Sequence, residues 1–133
     1  MKYAVLVLLL ATVPAFAATP IKLKAVDIAR DGATHPGTMD KKYEGKDDIT
    51  VVGKFLDYDT YGQMVGTPHK AILMEGMPGE DVIIGSKVQF NPLNNDDSVV
   101  PAGFKKGQQI TAHCTKLKEV LEGQIMLTGC TFK

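Results

Sequence analysis

Two cysteines near the C-terminus carry the clearest chemistry in the sequence. Cys114 and Cys130 are the only cysteines in the chain. A redox pair would need a C-x-x-C spacing, which is absent. A zinc site would need four ligands, and only His113 lies nearby, on the opposite face of a strand from Cys114. The residues therefore favour a structural disulfide over two buried free thiols, a metal site or a catalytic pair.

A hairpin register supports the disulfide. The residues Leu121–Gly123 separate two strand-like stretches, and a three-residue hairpin loop often places glycine at its left-handed position, which suits Gly123. Counting outward from this loop gives three opposed pairs: Val120 with Gln124, Lys118 with Met126, and Cys114 with Cys130. Opposed residues have Cβ atoms about 4.5–5.5 Å apart, close to the ~3.5–4.5 Å of a disulfide. The register predicts a Cys114–Cys130 bond.

A second set of residues suggests metal chemistry. His69, Met74 and Met77 form an H-x4-M-x2-M pattern, and imidazole and thioether groups are ligands that suit Cu(I). Copper binding is therefore the alternative function that we consider. Met74 lies in an apolar stretch, where methionine usually fills gaps in a core. We favour core packing for Met74 and predict no cofactor.

No catalytic machinery is recognisable in the sequence. Asp47–Asp48 and Asp96–Asp97 are adjacent pairs in turn-like sequence, which suits solvated loops or caps better than an acid/base pair. Ser86 and Ser98 lack the G-x-S-x-G context of a nucleophile. The dispersed glycines form no phosphate loop. We expect a protein that is not an enzyme.

The first residues have the pattern of a secretory signal. Lys2 precedes an apolar run over residues 3–13, and residues 15–17 form an A-x-A cleavage signature. The run is too short for the ~20 residues that span a bilayer. We expect a signal peptide over residues 1–17, cleaved after Ala17, and a periplasmic or secreted protein without a membrane span. A formal net charge of zero argues against a dedicated nucleic-acid or membrane-surface binder.

The remaining chain has the pattern of a small β-rich domain. Residues 18–42 are predicted as an N-terminal segment, mostly loop, with a short helix favoured over a short strand for residues 21–33. Five strands are predicted over residues 48–59, 70–76, 82–90, 109–120 and 124–132. Gly53 and Gly85 would bend the first and third strands. The long connection over residues 91–107 is predicted to hold one helical turn near residues 97–100. The pattern suggests a small closed or partly closed barrel.

Several stretches resemble one known family. These are Y-x-G-K at residues 43–46, V-x-G at 51–53, the apolar Val88 and Phe90, G-Q-x-I-T at 107–111, and Leu127 three residues before Cys130. Together they resemble the exported bacterial OB-fold family named for its likeness to the anticodon-binding domain of tRNA synthetases, the tRNA-anti-like family. The resemblance covers about residues 43–132. It implies an all-β fold with a minor helical element, a five-stranded OB-type Greek-key β-barrel over residues 43–133.

The resemblance also implies a binding surface. OB-folds bind ligands on the face of strands 2–3 and on the loops 1–2 and 4–5. In this chain, that rule selects Tyr58, Tyr61, Gln63, His69, Lys87, Gln89 and Glu122. Aromatic side chains near the first loop suit stacking on a sugar or a peptide. We expect the partner to be a protein or a glycan of the cell envelope rather than nucleic acid.

Overall fold

The computed structural model describes residues 20–62, 66–77, 87–121 and 123–133. Within these ranges the chain is mostly β, with seven strands and two short helices. The strands are β1 Ile21–Lys24, β2 Ile49–Tyr61, β3 His69–Glu75, β4 Lys87–Pro92, β5 Gln109–Cys114, β6 Lys116–Leu121 and β7 Gln124–Phe132. The helices are α1 Ala25–Thr34 and α2 Met39–Lys42. None of the helices in these ranges has the length and apolar character needed to cross a membrane.

The strand pairings form a circuit that returns to its starting strand. β2, β3 and β4 pair in sequence as antiparallel neighbours. β4 then pairs with β7 in parallel, β7 pairs with β5, and β5 pairs with the first half of β2. β1 adds to β2 in parallel, and β6 adds to β7. The expected mostly-β fold with a minor helical part is confirmed. The predicted fourth strand is two strands, because the chain bends at Thr115.

The strands enclose one hydrophobic core. Alternate residues of β2, β3, β4 and β7 point inward, as the two-residue period of a strand requires. The buried side chains include Val51, Ile72, Val88, Phe90 and Leu127, none of which is exposed to solvent. These apolar side chains supply most of the driving force for folding.

The N-terminal segment contributes both a strand and a helix. In β1, Lys22 and Lys24 are exposed, while Ile21 and Leu23 are half-buried. In α1, Ala25, Ile28 and Ala29 are buried at the i, i+3, i+4 spacing of one helix face. The helix that we favoured from residue 21 therefore begins at Ala25, after a strand. It ends at Thr34, one residue beyond the predicted end.

The helix α1 packs closely on the strands at Gly53. A Cβ atom at this position would lie 2.8 Å from Ala25 Cβ and 2.9 Å from Met74 Sδ. Glycine is therefore required here for close packing of the helix, the second strand and the third strand. The predicted bend at Gly85 lies outside the described residues, as do residues 82–86 of the predicted third strand and the expected signal peptide.

The disulfide and most of the hairpin register are confirmed. The Cys114 and Cys130 sulfur atoms are bonded at 2.04 Å, and Lys118 lies opposite Met126. The predicted Val120–Gln124 pair is wrong, because Leu121 lies opposite Gln124. A register shift between Glu119 and Leu121 leaves Val120 as an extra residue that is 53% exposed.

The connection between β4 and β5 contains two single 3-10 turns. They span Leu93–Asn95 and Asp97–Val99, and the second confirms the predicted helical turn near residues 97–100. Asp96 caps this second turn, because its carboxylate accepts a hydrogen bond from the Ser98 N–H at 2.9 Å. This cap also lowers the pKa of the Asp96 carboxyl. The connection passes over one end of the core, beside the ends of β2 and β3.

Candidate functional site

The strand register sorts the predicted binding residues onto two faces. Directly opposed residues project to the same side of a sheet. Tyr61 opposes His69, and Lys87 opposes Glu75, which lies on the same face of β3 as His69. Gln89 belongs to this outer face as well, two residues after Lys87. Gln63 and Glu122 lie outside the described residues.

Tyr58 points the other way, into the end of the core. It opposes Ile72, which is fully buried. Its hydroxyl donates a hydrogen bond to the Pro101 carbonyl at 2.6 Å and accepts one from the Phe104 N–H at 3.1 Å. Its ring packs edge-on against Phe55, with centroids 4.8 Å apart. Tyr58 therefore holds the connection between β4 and β5 over the core.

One row of side-by-side residues on this face crosses five strands, and Leu73 within the row is buried. The pairings place Asp57, Leu73, Gln89, Met126 and Lys118 side by side, from β2 through β3, β4 and β7 to β6. Tyr61 and His69 lie toward one end of this outer face, and Glu75 and Lys87 toward the other. The exposed part of the outer face carries polar, charged and aromatic side chains, whereas Ala71 and Leu73 within it are buried.

An aromatic and polar cluster occupies one end of the outer face. The rings of Tyr61 and His69 are 5.6 Å apart, and the Tyr61 hydroxyl donates to Asn95 Oδ1 at 2.6 Å. Asp97 Oδ1 lies 3.6 Å from His69 Nδ1 and accepts from the Lys70 N–H at 2.8 Å. Burial raises the pKa of the Tyr61 phenol, and the nearby Asp97 carboxylate raises it further.

Sequence reasoning missed the asparagine in this cluster. Asn94 and Asn95 both have left-handed backbones, with φ of 55° and 53°. Asparagine adopts this conformation more readily than most other residues, which is the physical reason for an Asn-Asn pair here. The contact of Asn95 with Tyr61 depends on the path of the long connection across the end of β2.

A group of amides lies at the centre of the outer face. Asn91 is only 5% exposed. Its Oδ1 accepts from Gln89 Nε2 at 2.9 Å, and its Nδ2 donates to Met126 Sδ at 3.2 Å. Asn91 and Met126 were not among the predicted residues. The signal for Asn91 was its two-residue spacing from Gln89, which places both on one face of β4.

The structure does not bring together the residues of the copper hypothesis. His69 and Met74 lie near the two ends of β3, so about 16 Å of strand separates them at ~3.3 Å per residue. Met74 faces the core with no exposed surface, and Met77 packs against the same core. In the described ranges, no three His, Cys, Asp or Glu side chains are grouped so that they could hold a metal ion.

Comparisons with protein-family models, curated proteins and solved structures find no match for this chain. Inferences about its function therefore rest on the geometry of its surfaces.

Proposed function

We propose that the protein is an exported, non-enzymatic binding module of the cell envelope, with an OB-type barrel whose outer face binds a protein or a glycan. The observation that carries this proposal is the set of polar and aromatic side chains on the outer face of β2, β3 and β4. Tyr61, His69, Lys87 and Gln89 lie on that face together.

The order of the strand pairings supports an OB-type barrel. A Greek-key barrel of five strands returns to its first strand through a long connection. Here the circuit runs β2, β3, β4, β7, β5 and back to β2, and the residues 93–108 connect β4 to β5. If β2 is the first barrel strand, then β3 and β4 are the strands whose face binds ligands in OB-folds.

The chemistry of the outer face supports a ligand with many hydrogen-bonding groups. The amide of Gln89 and the imidazole of His69 can each donate and accept hydrogen bonds. The Tyr61 ring supplies an amphipathic surface of the kind used to stack on sugars and peptides. Sugars and peptide backbones both carry donors and acceptors that match this set.

The disulfide supports residence outside the cytoplasm. Disulfides persist in oxidising compartments such as the periplasm and are rare in the cytosol. The bond between Cys114 and Cys130 therefore agrees with the predicted signal peptide, and both features favour export.

Site-specific photo-crosslinking in the producing cell tests the proposal. A photo-reactive phenylalanine analogue would replace Gln89 on the outer face of β4 or, as the matched control, exposed Gln109 of β5. We expect a discrete crosslinked product with an envelope protein or glycan at Gln89 and none at Gln109. Equal products at both positions, or no product at Gln89, would contradict the proposal.

A further inference from the structure

A cavity opens at the end of the core that Tyr58 closes. Its volume is about 530 Å³, within the range of about 300–1,000 Å³ that is typical of small-ligand sites. The residues around it come from the ends of β2 and β3 and from the connection that follows β4. They are Tyr58, Asp59, Thr60, Lys70, Val100, Pro101, Ala102 and Gly103.

One side of the cavity is apolar. Tyr58, Val100 and Pro101 form this side. The Tyr58 hydroxyl already donates to the Pro101 carbonyl and accepts from the Phe104 N–H, so the residue offers mainly its ring to a ligand. Because both hydrogen bonds hold the connection in place, this wall is already formed before any ligand binds. It suits a compact apolar group.

Groups that attract an anion lie around the same cavity. Lys70 is exposed, and its ammonium group has no ion-pair partner in the described part of the chain. The backbone N–H groups of Ala102 and Gly103 likewise have no acceptor among the described residues. An ammonium group and backbone N–H groups together are a combination that binds carboxylates.

We propose that this cavity binds the C-terminal residue of a peptide or protein whose last side chain is apolar. The terminal carboxylate binds Lys70 and the N–H groups of Ala102 and Gly103. The side chain of the last residue packs between Tyr58 and Pro101. One residue then uses both the anion-binding groups and the apolar wall of the cavity. The site is separate from the outer face, because Tyr58 points inward.

A titration with a matched pair of small peptides tests the site. The ¹⁵N-labelled protein would be titrated with N-acetyl-Ala-Leu as the free acid and, separately, as its C-terminal amide, and amide chemical shifts would be followed by NMR. We expect saturable shifts at Thr60, Ala102 and Gly103 with the acid. The amide should bind about tenfold more weakly, because it lacks the charge-assisted hydrogen bonds.

Two lysine variants give the control. Lys70→Gln should weaken binding of the acid by about tenfold. Lys22→Gln, at an exposed position of β1, should leave it unchanged. Equal affinity for acid and amide, shifts centred on Tyr61 and Gln89, or no saturable shift would overturn the proposal. None of these outcomes alters the photo-crosslinking test, so failure of this site and failure of the outer-face proposal remain distinguishable.

Discussion

At the residue scale, Gly129 shows how a single position fixes the local path of the chain. It lies in β7, beside the bend at Thr115 that separates β5 from β6. Its φ is +67°, and a Cβ atom at this position would lie 2.1 Å from Thr115 Oγ1. Only glycine avoids both the backbone penalty of the left-handed region and this clash.

We predict that Gly129→Ala destabilises the protein by about 3 kcal/mol, the sum of a left-handed alanine and a steric overlap. Gly107→Ala is the matched control, because Gly107 has a φ of +85° but open space around its Cβ position. The free energy of unfolding of this control variant should fall by only about 1–2 kcal/mol. Urea unfolding measures both, and similar losses for the two variants would show that the Thr115 contact is unimportant.

The cysteine pairing was predictable from residues alone, whereas the Val120 pairing was not. Strand alternation and one turn glycine were enough to place Cys114 opposite Cys130. Val120 is an extra residue in the register, and such a bulge depends on the tertiary path of the strand rather than on alternation. The error therefore affects the tip of the hairpin and leaves the pairing at its base intact.

At the element scale, a reciprocal set of hydrogen bonds fastens α2 to the edge strand β6. The Glu119 carboxylate accepts from the N–H groups of Gly37 at 2.5 Å and Met39 at 3.4 Å. The Glu119 N–H donates to Asp40 Oδ1 at 2.7 Å. Because β6 pairs only with β7 among the described strands, these bonds also cover part of its free edge.

We predict that Glu119→Ala destabilises the protein by about 1–3 kcal/mol, since it removes hydrogen bonds to a charged acceptor. Amide hydrogen exchange at Gly37 and Met39 should become faster. Glu44→Ala is the control, because the exposed Glu44 side chain has no partner in the described part of the chain. If exchange at Gly37 and Met39 did not change, Glu119 would not be what holds α2.

An ion pair makes the contact between α1 and α2 sensitive to pH. Asp31 accepts hydrogen bonds from Lys42 and His35, and the bond from Lys42 is the main cause that lowers the pKa of the Asp31 carboxyl. A carboxyl whose pKa is lower in the folded state adds stability above its unfolded pKa, near 3.9. That stability is lost as the pH falls through the folded pKa.

We therefore predict that Asp31→Asn lowers the free energy of unfolding by about 1 kcal/mol or less at pH 7. The effect is small because Lys42 is 54% exposed and water screens the ion pair. The difference from the unsubstituted protein should shrink as the pH falls below about 4. Lys42→Met should show a similar loss at pH 7. Urea unfolding at pH 7 and pH 3 measures the effect, and a loss that stays constant with pH would contradict it.

The N-terminal elements show why element boundaries were harder to predict than element types. The sequence near residue 21 fitted both a strand and a helix. The chain forms the strand β1 first and then the helix α1 directly after it. No side chain caps the start of α1 at Lys24, so the usual sequence signal of a helix N-terminus is missing. Pairing of β1 with β2 decides where the strand ends.

At the scale of the whole molecule, the disulfide joins the ends of β5 and the C-terminal strand inside the core. Cys114 is 3% exposed and Cys130 is fully buried. The strand β5 lies between β2 and β7, and Ala112 and His113, just before Cys114, pair with both neighbours. The disulfide therefore fastens one of the contacts through which the strand circuit closes.

We predict that the exported protein has the mass of residues 18–133 less two hydrogen atoms, and that its thiols react with alkylating agents only after reduction. Replacing both cysteines with alanine should lower the free energy of unfolding by about 2–4 kcal/mol. Intact mass spectrometry, with and without reductant, measures the first outcome, and urea unfolding the second. Alkylation without reductant would mean that the bond does not form in the cell.

The cavity at the end of the core could not be predicted from the sequence, while much of the outer face could. Residues of the outer face follow from strand alternation combined with the OB-fold rule. Tyr58 was grouped with Tyr61 although an odd spacing along one strand places them on opposite faces. The cavity wall at Val100 and Pro101 comes from the long connection, whose path has no periodic signal in the sequence.

The strand β7 pairs with β4, β5 and β6, all of which precede it in the chain. Because a chain is synthesised from its N-terminus, β4 is made well before the strand that covers its edge. That hydrogen-bonding edge stays open until β7 has followed, and such edges invite pairing with other chains. The time taken to make the residues from the end of β4 to the end of β7, rather than the stability of the finished fold, then sets how long each molecule is exposed to aggregation.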